Sequence, residues 1–348
     1  MIRTGQLPSG SALPPEIELA RRWSVSRIVV RQALIDLVKD GRLYRVRGKG
    51  TFVRPRKLEY IGLLMQTDGH VYWDFFSALM QSLPAEVYGP LVINTADEFL
   101  EGLRRVEVEQ RIRQLVRSHP SVIVADGKRL FPFELLAGAA DREHRIIFIQ
   151  RYEPPAPLTF PHQTVLPDYA GGGSLAVRHL LELGHRKILF LTSNIPDLVR
   201  WRCEYHVFAG CRSAVIERGL VPECVLPMLR YEEGTVEQQL SRLFCSRRRP
   251  TAVIAYQEYF APVLFRVFAQ LGLRVPDDVS ILGIYNTPWA EIMEVPLTSV
   301  SFRPHQRAAE TIRLIKDPGL REQHILVSPE LVVRRSCGTV PTLKGGAA

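Results

Sequence analysis

Arg27 and Arg31 stand one helical turn apart in a stretch where Val30, Ala33, Leu34, Leu37 and Val38 recur at i, i+3, i+4, i+7 and i+8. The apolar positions form one buried stripe. The two guanidinium groups fall off it, near the N-terminal end, and stay available. A guanidinium is a planar fork of donors that grips paired acceptors, such as the O6 and N7 edge of guanine. A second cationic set follows at Arg47-Gly48-Lys49-Gly50-Thr51. Its glycines permit a tight tip that leaves Arg47 and Lys49 free to reach a groove or a phosphate. The chemistry on offer is recognition of a polyanion.

Elsewhere the residue types of catalysis occur without its spacings. Gly171-Gly172-Gly173-Ser174 is not G-x-G-x-x-G and reads as an ordinary helix entrance. Ser174 has no G-x-S-x-G elbow around it. The Gly48 to Gly50 tip does not have the phosphate-loop spacing. His179 and His185 lie six apart, unlike H-E-x-x-H, and are expected to serve packing and capping at a helix end. Cys203, Cys211, Cys224, Cys245 and Cys337 include no C-x-x-C pair and are expected to be buried, reduced thiols. No metal, cofactor or catalytic activity is expected.

The elements that must position the cationic sets can be read in order. Pro14 and Pro15 precede a short helix, Glu16 to Trp23, with Leu19, Ala20 and Trp23 as its inner face. Ser24-Val25-Ser26 is a turn, and Ser26 is placed to cap the helix that runs to Lys39. Gly41 is placed to end that helix in a left-handed cap. Leu43 to Arg47 and Thr51 to Val53 then form a hairpin. A recognition helix meets base edges with its N-terminal end, where Ser26, Arg27, Arg31 and Gln32 stand.

Charge supports this reading. Residues 1–57 hold thirteen Lys/Arg and four Asp/Glu, and so the whole formal excess of +9; the remainder holds 32 of each. A basic module on a neutral body suits nucleic-acid binding. An enzyme has no reason to segregate its charge in this way. No apolar run approaches the ~20 residues of a membrane helix, and Met1 to Ser11 has no signal-peptide core. A cytoplasmic protein without membrane contact is expected.

After a short linker, Arg54 to Lys57, apolar strand-like runs alternate with helical stretches. The strands are placed at Ile61–Met65, Leu91–Asn94, Val122–Ala125, Ile146–Ile149, Lys187–Leu191, Ala252–Ala255 and Val279–Ile284. Helices are placed at Glu107–Ser118, Ser174–Leu183, Phe208–Arg218, Val236–Cys245 and Pro262–Leu271, with Gly184, Gly219 and Gly272 as caps. The fold class is α/β: a small winged-helix α+β domain, then doubly wound parallel sheets.

Leu13-Pro14-Pro15-Glu16, Glu18-Leu19-Ala20, Val25-Ser26-Arg27, Val30-Arg31-Gln32-Ala33-Leu34, Gly41 and Gly48-Lys49-Gly50-Thr51-Phe52-Val53 together resemble the winged helix-turn-helix of the GntR family. The resemblance implies that Arg27 and Arg31 contact DNA and that the Gly48 to Gly50 tip enters the minor groove. The family carries an Arg one residue after the Glu of L-P-x-E; here that position is Ile17. The family also opens with a further helix before the equivalent of Ile2 to Gly5. The sequence as given does not include it, so the stripe on Ser26 to Lys39 is expected to lack one packing partner.

Asp168-Tyr169-Ala170-Gly171, Leu183-Gly184-His185-Arg186-Lys187-Ile188, Pro250 to Ile254, Val275 to Ser280, Gly283, Trp289-Ala290 and Pro296 to Val300 resemble the effector domain of LacI/GalR regulators. GntR-type heads on such bodies are known from arabinose-responsive repressors. The resemblance implies two lobes joined by three crossovers, a small-molecule, sugar-like effector between them, and a homodimer on a near-palindromic double-stranded operator. The expected division is 1–57 for the head and 58–340 for the body, with one lobe at about 58–165 plus 288–325 and the other at about 166–287. Cleft candidates, by their places after strands, are Asp74, Phe75, Phe76, Asp126, Arg151, Gln257, Glu258, Tyr285 and Asn286.

Three positions depart from the sugar binders of the family. Val207 stands for an Arg, Gln257-Glu258 for Asn-Asp, and Tyr285 for an Asp. Arg200 or Arg202 are alternative cations. Two other readings remain: a DNA-binding regulator that has lost ligand sensing, and a solute-binding protein that never meets DNA. The charged head argues against the second.

Overall fold

A computed structural model describes residues 7, 10–53, 59–67, 70–85, 87–95, 103–127, 132–140, 144–150, 158–193, 203–231, 234–246, 249–317, 319–320 and 323–340. The chain divides into two compact units, residues 1–59 with 84–89, and 60–83 with 90–348.

The first unit contains α1 (Glu16–Trp23), α2 (Arg27–Lys39), β1 (Leu43–Val46) and β2 (Gly50–Val53). Ser24, at φ +55°, caps α1, and Val25 N–H returns to the Ala20 carbonyl at 3.1 Å. Ser26 Oγ accepts from Val29 N at 3.3 Å and so caps α2 as expected. Gly41 ends α2 at φ +70°, a conformation that costs a glycine little. Leu19, Val30, Leu34, Leu43 and Val53 form the core. The α2 stripe is only partly covered: Leu37 and Val38 are half-buried and Ala33 is exposed. Trp23, expected to face inward, is 48% exposed, because α1 buries only Leu19. β1 and β2 are antiparallel, with Val46 opposite Gly50 and Arg47 to Lys49 at the tip. Residues 10–13 run along β2, with Ala12 opposite Phe52.

The second unit begins with β3 (Glu59–Met65), α3 (His70–Ser82), β4 (Tyr88–Asn94), α4 (Leu103–Arg117), β5 (Val122–Ala125), α5 (Phe133–Ala140), β6 (Arg145–Phe148) and β7 (Gln163–Pro167). Next come α6 (Tyr169–Glu182), β8 (Ile188–Ser193), α7 (Cys203–Glu217), α8 (Pro222–Val225), β9 (Met228–Tyr231), α9 (Val236–Phe244), β10 (Ala252–Ala255), α10 (Ala261–Gln270) and β11 (Ser280–Ile284). It closes with α11 (Trp289–Ile292), β12 (Thr298–Ser301), α12 (Pro304–Lys316), β13 (His324–Val327) and β14 (Glu330–Val332). Two six-stranded sheets result, ordered β13-β7-β6-β5-β3-β4 and β14-β12-β11-β10-β8-β9. The registered pairs are parallel except β12 with β14.

The chain crosses between these lobes three times: from β7 to α6, from β12 to α12, and from β13 to β14. This corrects the lobe boundary expected at residue 288. Residues 298–301 pair with β11 and stay in the second sheet, so the return falls at Ser301 to Pro304. α12 packs on α3 and β7 of the first lobe.

α6 and α7 approach so closely that a Cβ on Gly173 would lie 1.9 Å from the Val207 carbonyl oxygen, and one on Gly210 1.9 Å from that of Ala170. The glycines at the α6 entrance therefore serve packing, as expected of an ordinary helix start. Asp168 caps it by accepting from Gly171 N at 2.8 Å. His185 is wholly buried and contacts Thr251 Oγ1, Ser280 Oγ and the Gly338 carbonyl. Cys203 and Cys211 are buried, but Cys245 is exposed at the end of α9, against the expectation for all five thiols. Among the described residues no helix is long and apolar enough to cross a membrane, and no cluster of His, Cys, Asp and Glu is set to hold a metal.

Candidate functional site

The α2 N-terminus presents Arg27 and Arg31 with side chains 59% and 58% exposed. Both donate through Nε to Glu16 Oε2, at 3.5 and 3.3 Å, and Arg45 Nη2 lies 3.8 Å from Glu16 Oε1. One carboxylate thus gathers three arginines from α2 and β1 on one face. Sequence reasoning quoted Glu16 as part of a motif but missed this role and missed Arg45. Alternation on β1 was the signal available for Arg45, since it points opposite to Tyr44 and Val46. Gln32 Nε2 donates to Asp36 Oδ1 at 3.0 Å. At the hairpin tip Arg47, Gly48, Lys49 and Gly50 are exposed and Thr51 is half-buried. Tyr44 and Phe52 stack at 5.6 Å and stiffen its base. The nine candidates for polyanion contact therefore lie at the α2 end and the hairpin tip. Ile17, where an Arg was absent, is 55% exposed.

In the second unit the strand ends meet between the lobes. An inner cavity of about 20 Å³ is lined by Tyr72, Asp74, Phe75, Asp126, Gln150 and Arg307 of the first lobe and, from across the cleft, Tyr169, Tyr285 and Phe302 among others. An open groove of about 640 Å³ adjoins it, lined by Asp74, Asn286, Thr287, Glu291 and Arg303 among others. Asp74, Phe75, Asp126, Tyr285 and Asn286 thus stand where strand position placed them. Gln257 lines neither space. Arg151, Arg200 and Arg202 lie outside the described residues.

Asp126 is buried at the end of β5 and accepts from Gln66 N at 3.0 Å and Thr95 Oγ1 at 3.2 Å. Val207, in the place of an Arg, is wholly buried and contributes to the α6–α7 contact instead. An aromatic ladder runs through the cleft: Tyr256, Tyr285, Phe302 and Tyr169, with centroid spacings of 5.6, 5.4 and 4.8 Å. Tyr285 and Tyr256 share a 2.5 Å hydrogen bond. Tyr285 adopts φ +98° and Asn286 φ +53°, left-handed conformations that non-glycine residues keep only when surroundings impose them.

Glu258 supplies that imposition. It is 2% exposed, and its carboxylate accepts from Asn286 N at 2.7 Å, Thr287 N at 2.8 Å, and the Thr287 and Ser299 hydroxyls. Named among the candidate ligand contacts, Glu258 staples the 285–287 turn, with both its oxygens accepting bonds from the protein. Burial raises its pKa to about 7, although four hydrogen bonds pull the other way. Burial likewise raises the phenols of Tyr72, Tyr169 and Tyr285, so all three are neutral donors. Sequence reasoning missed Tyr72, Gln150, Tyr169, Phe302 and Arg307. Gln150 and Tyr169 directly follow a strand end and a helix cap, a signal that was present.

Residues 1–53 match the model of the bacterial regulatory proteins of the gntR family, and residues 177–337 match that of the periplasmic binding protein-like domain. The arabinose metabolism transcriptional repressor of Geobacillus stearothermophilus is 29% identical over 358 residues, covering 96% of this chain and 94% of the relative. A LacI family regulator, CCPA, from Weissella paramesenteroides with bound sucrose superposes at TM-score 0.63, with 15% identity, over 81% of this chain and 100% of that one. A transcriptional regulator CelR–cellobiose complex does so at TM-score 0.60, with 17% identity, over 93% and 100%. These matches identify a regulator and not an enzyme. From the arginine face, the two-lobed body and the family matches on both, the chain is a DNA-binding regulator of the GntR/LacI-like type: a winged helix-turn-helix followed by a periplasmic-binding-protein-like effector domain.

Proposed function

We propose that this regulator is a repressor controlled by a small molecule bound between the lobes. The head, about residues 1–57, reads DNA: α2 enters the major groove, Arg27 and Arg31 meet base edges, and Ser26 and Gln32 stand beside them. Arg47, Gly48, Lys49, Gly50 and Thr51 carry the hairpin tip to the minor groove or backbone. The body, about 58–340, takes the effector against Asp74, Phe75, Asp126, Tyr285 and Asn286. Relatives with bound sucrose and cellobiose support a sugar-like ligand. A homodimer in the cytoplasm on a near-palindromic operator completes the reading.

The observation that carries it is the exposed arginine face gathered by Glu16 at 3.3 and 3.5 Å. The test is binding of the purified chain to its own upstream intergenic DNA, as a salt series beside random competitor. Tight saturable binding with a steep salt slope is the expected result. Weak binding that is equal on both DNAs rejects operator recognition by the chain as given. The inner cavity of about 20 Å³ favours a second reading, a DNA binder whose body senses no ligand. Operator affinity that no cleft ligand changes would select it.

A further inference from the structure

Arg307 is a cation buried in the cleft wall, 8% exposed, on the first turns of α12. Its Nη2 donates to the Ile149 carbonyl at 2.7 Å, and its guanidinium lies 4.8 Å over the Phe75 ring. Its Nε is buried and meets no acceptor. Among the described residues no carboxylate stands within ion-pair distance of it. The groups that act on its charge are Tyr169, Tyr72 and Tyr285, all neutral phenols, and burial lowers its pKa. A guanidinium taken out of water with one carbonyl and one ring for company is costly to keep. Pairing with an anion relieves such a cost, and Arg307 is among the residues that line the inner cavity.

The cavity's other walls narrow the partner. Tyr72, Tyr169 and Tyr285 bring phenolic hydroxyls to the same space as Arg307. Guanidinium and phenols together suit an oxyanion. Asp74 and Asp126 line the same cavity, and Asp126 is already engaged by Gln66 and Thr95. Two carboxylates nearby disfavour a phosphate carrying close to two negative charges more than they disfavour a single one. The aromatic ladder offers faces to a ring or a carbon chain.

We propose that the effector bound between the lobes carries a carboxylate, and that Arg307 receives it. This rests on the reading of the cleft as an effector site. The present cavity has room for little more than a water molecule, so the lobes part to admit the ligand and close on it again. Arg307 stands a few residues past the Ser301 to Pro304 crossover between the lobes.

The test is thermal unfolding of the full chain at fixed ionic strength with matched probes: D-glucose and D-glucuronate, D-galactose and D-galacturonate, and glucose 6-phosphate. At least one uronate is expected to raise the melting temperature by a few degrees while its neutral partner leaves it unchanged. Arg307→Met should abolish that response and, lacking the unpaired buried charge, melt at or above the wild type. Arg307→Lys should retain part of the response. A neutral sugar that stabilises wild type and Arg307→Met equally overturns the proposal and leaves the cleft as the effector site. A response to glucose 6-phosphate alone overturns the choice of carboxylate. No response to either uronate overturns the proposal, and so does an Arg307→Met chain that folds, keeps DNA binding and melts well below wild type, since the charge would then be satisfied within the protein.

Discussion

Glu16 holds Arg27, Arg31 and Arg45 with side chains about half exposed, and pairs so exposed contribute only ~0–1 kcal/mol each. Their consequence is orientation: a guanidinium already confined loses less freedom when it meets a base. Glu16→Ala is therefore expected to leave the head folded, to reduce the preference for operator over random DNA, and to strengthen random binding by removing a negative charge. Fluorescence anisotropy over a salt series reads both, and an unchanged preference would refute the orienting role. Arg31→Ala should cost ~1–3 kcal/mol on operator and relax one base position. Equal weakening on both DNAs would show that Arg31 holds only phosphate. Glu258 carries a pH dependence of its own. Its pKa rises on folding from 4.5 to about 7, so the folded state holds its proton more tightly than the unfolded chain. Its contribution is complete below pH 4.5 and is lost as pH rises through about 7. The loss is of order a few kcal/mol. Urea unfolding of wild type and Glu258→Gln across that window should show a flatter curve for the variant. Parallel curves would place the titrating group elsewhere.

Among the elements, α6 and α7 depend on glycine in a way that α2 and the hairpin do not. A Cβ at Gly173 meets the Val207 carbonyl at 1.9 Å, whereas one at Gly48 meets nothing within 4 Å. Gly173→Ala should thus cost at least ~1–3 kcal/mol by forcing two helices apart. Gly48→Ala should cost about 1 kcal/mol, from its φ of +80° alone. Thermal melts of the two variants separate these outcomes, and equal shifts would show that the helix contact relaxes freely. β12 shows why some elements escaped sequence reading. Thr298-Ser299-Val300-Ser301 has the polarity of a loop yet is buried along its length. Its hydroxyls are consumed by Arg334 N, Glu258 and Arg303 N, partners that periodicity does not reveal. The central strands β5 and β10 were legible because wholly apolar four-residue runs between turns have few other uses.

For the molecule as a whole, three crossovers make the cleft a place where ligand binding and lobe geometry are one equilibrium. An effector that changes operator affinity is expected to do so by ~1–3 kcal/mol, and operator DNA must change effector affinity by the same factor. Titration of effector with and without saturating operator measures this. Unequal factors would show that the two ligands do not share one pair of conformations. The second segment of the first lobe is where the sequence reading and the structure part. The expected boundary at residue 288 puts Thr298 to Ser301 in the first lobe, but the parallel register of Leu282 with Thr298 keeps this strand in the second sheet.

Local pattern alone specifies nearly all of the head: the bounds of α1 and α2, the Ser26 cap, the hairpin, and the segregation of the +9 charge. These follow from periodicity, capping and turn chemistry, which act between residues a few positions apart. Long-range packing sets the rest: the gathering of three arginines by Glu16, the stapling of a turn by Glu258, and the burial of Arg307 against a carbonyl 158 positions away. Each of these is a contact between distant segments, and burial and pairing at that range are set by how the sheets and helices close on one another, not by any local pattern.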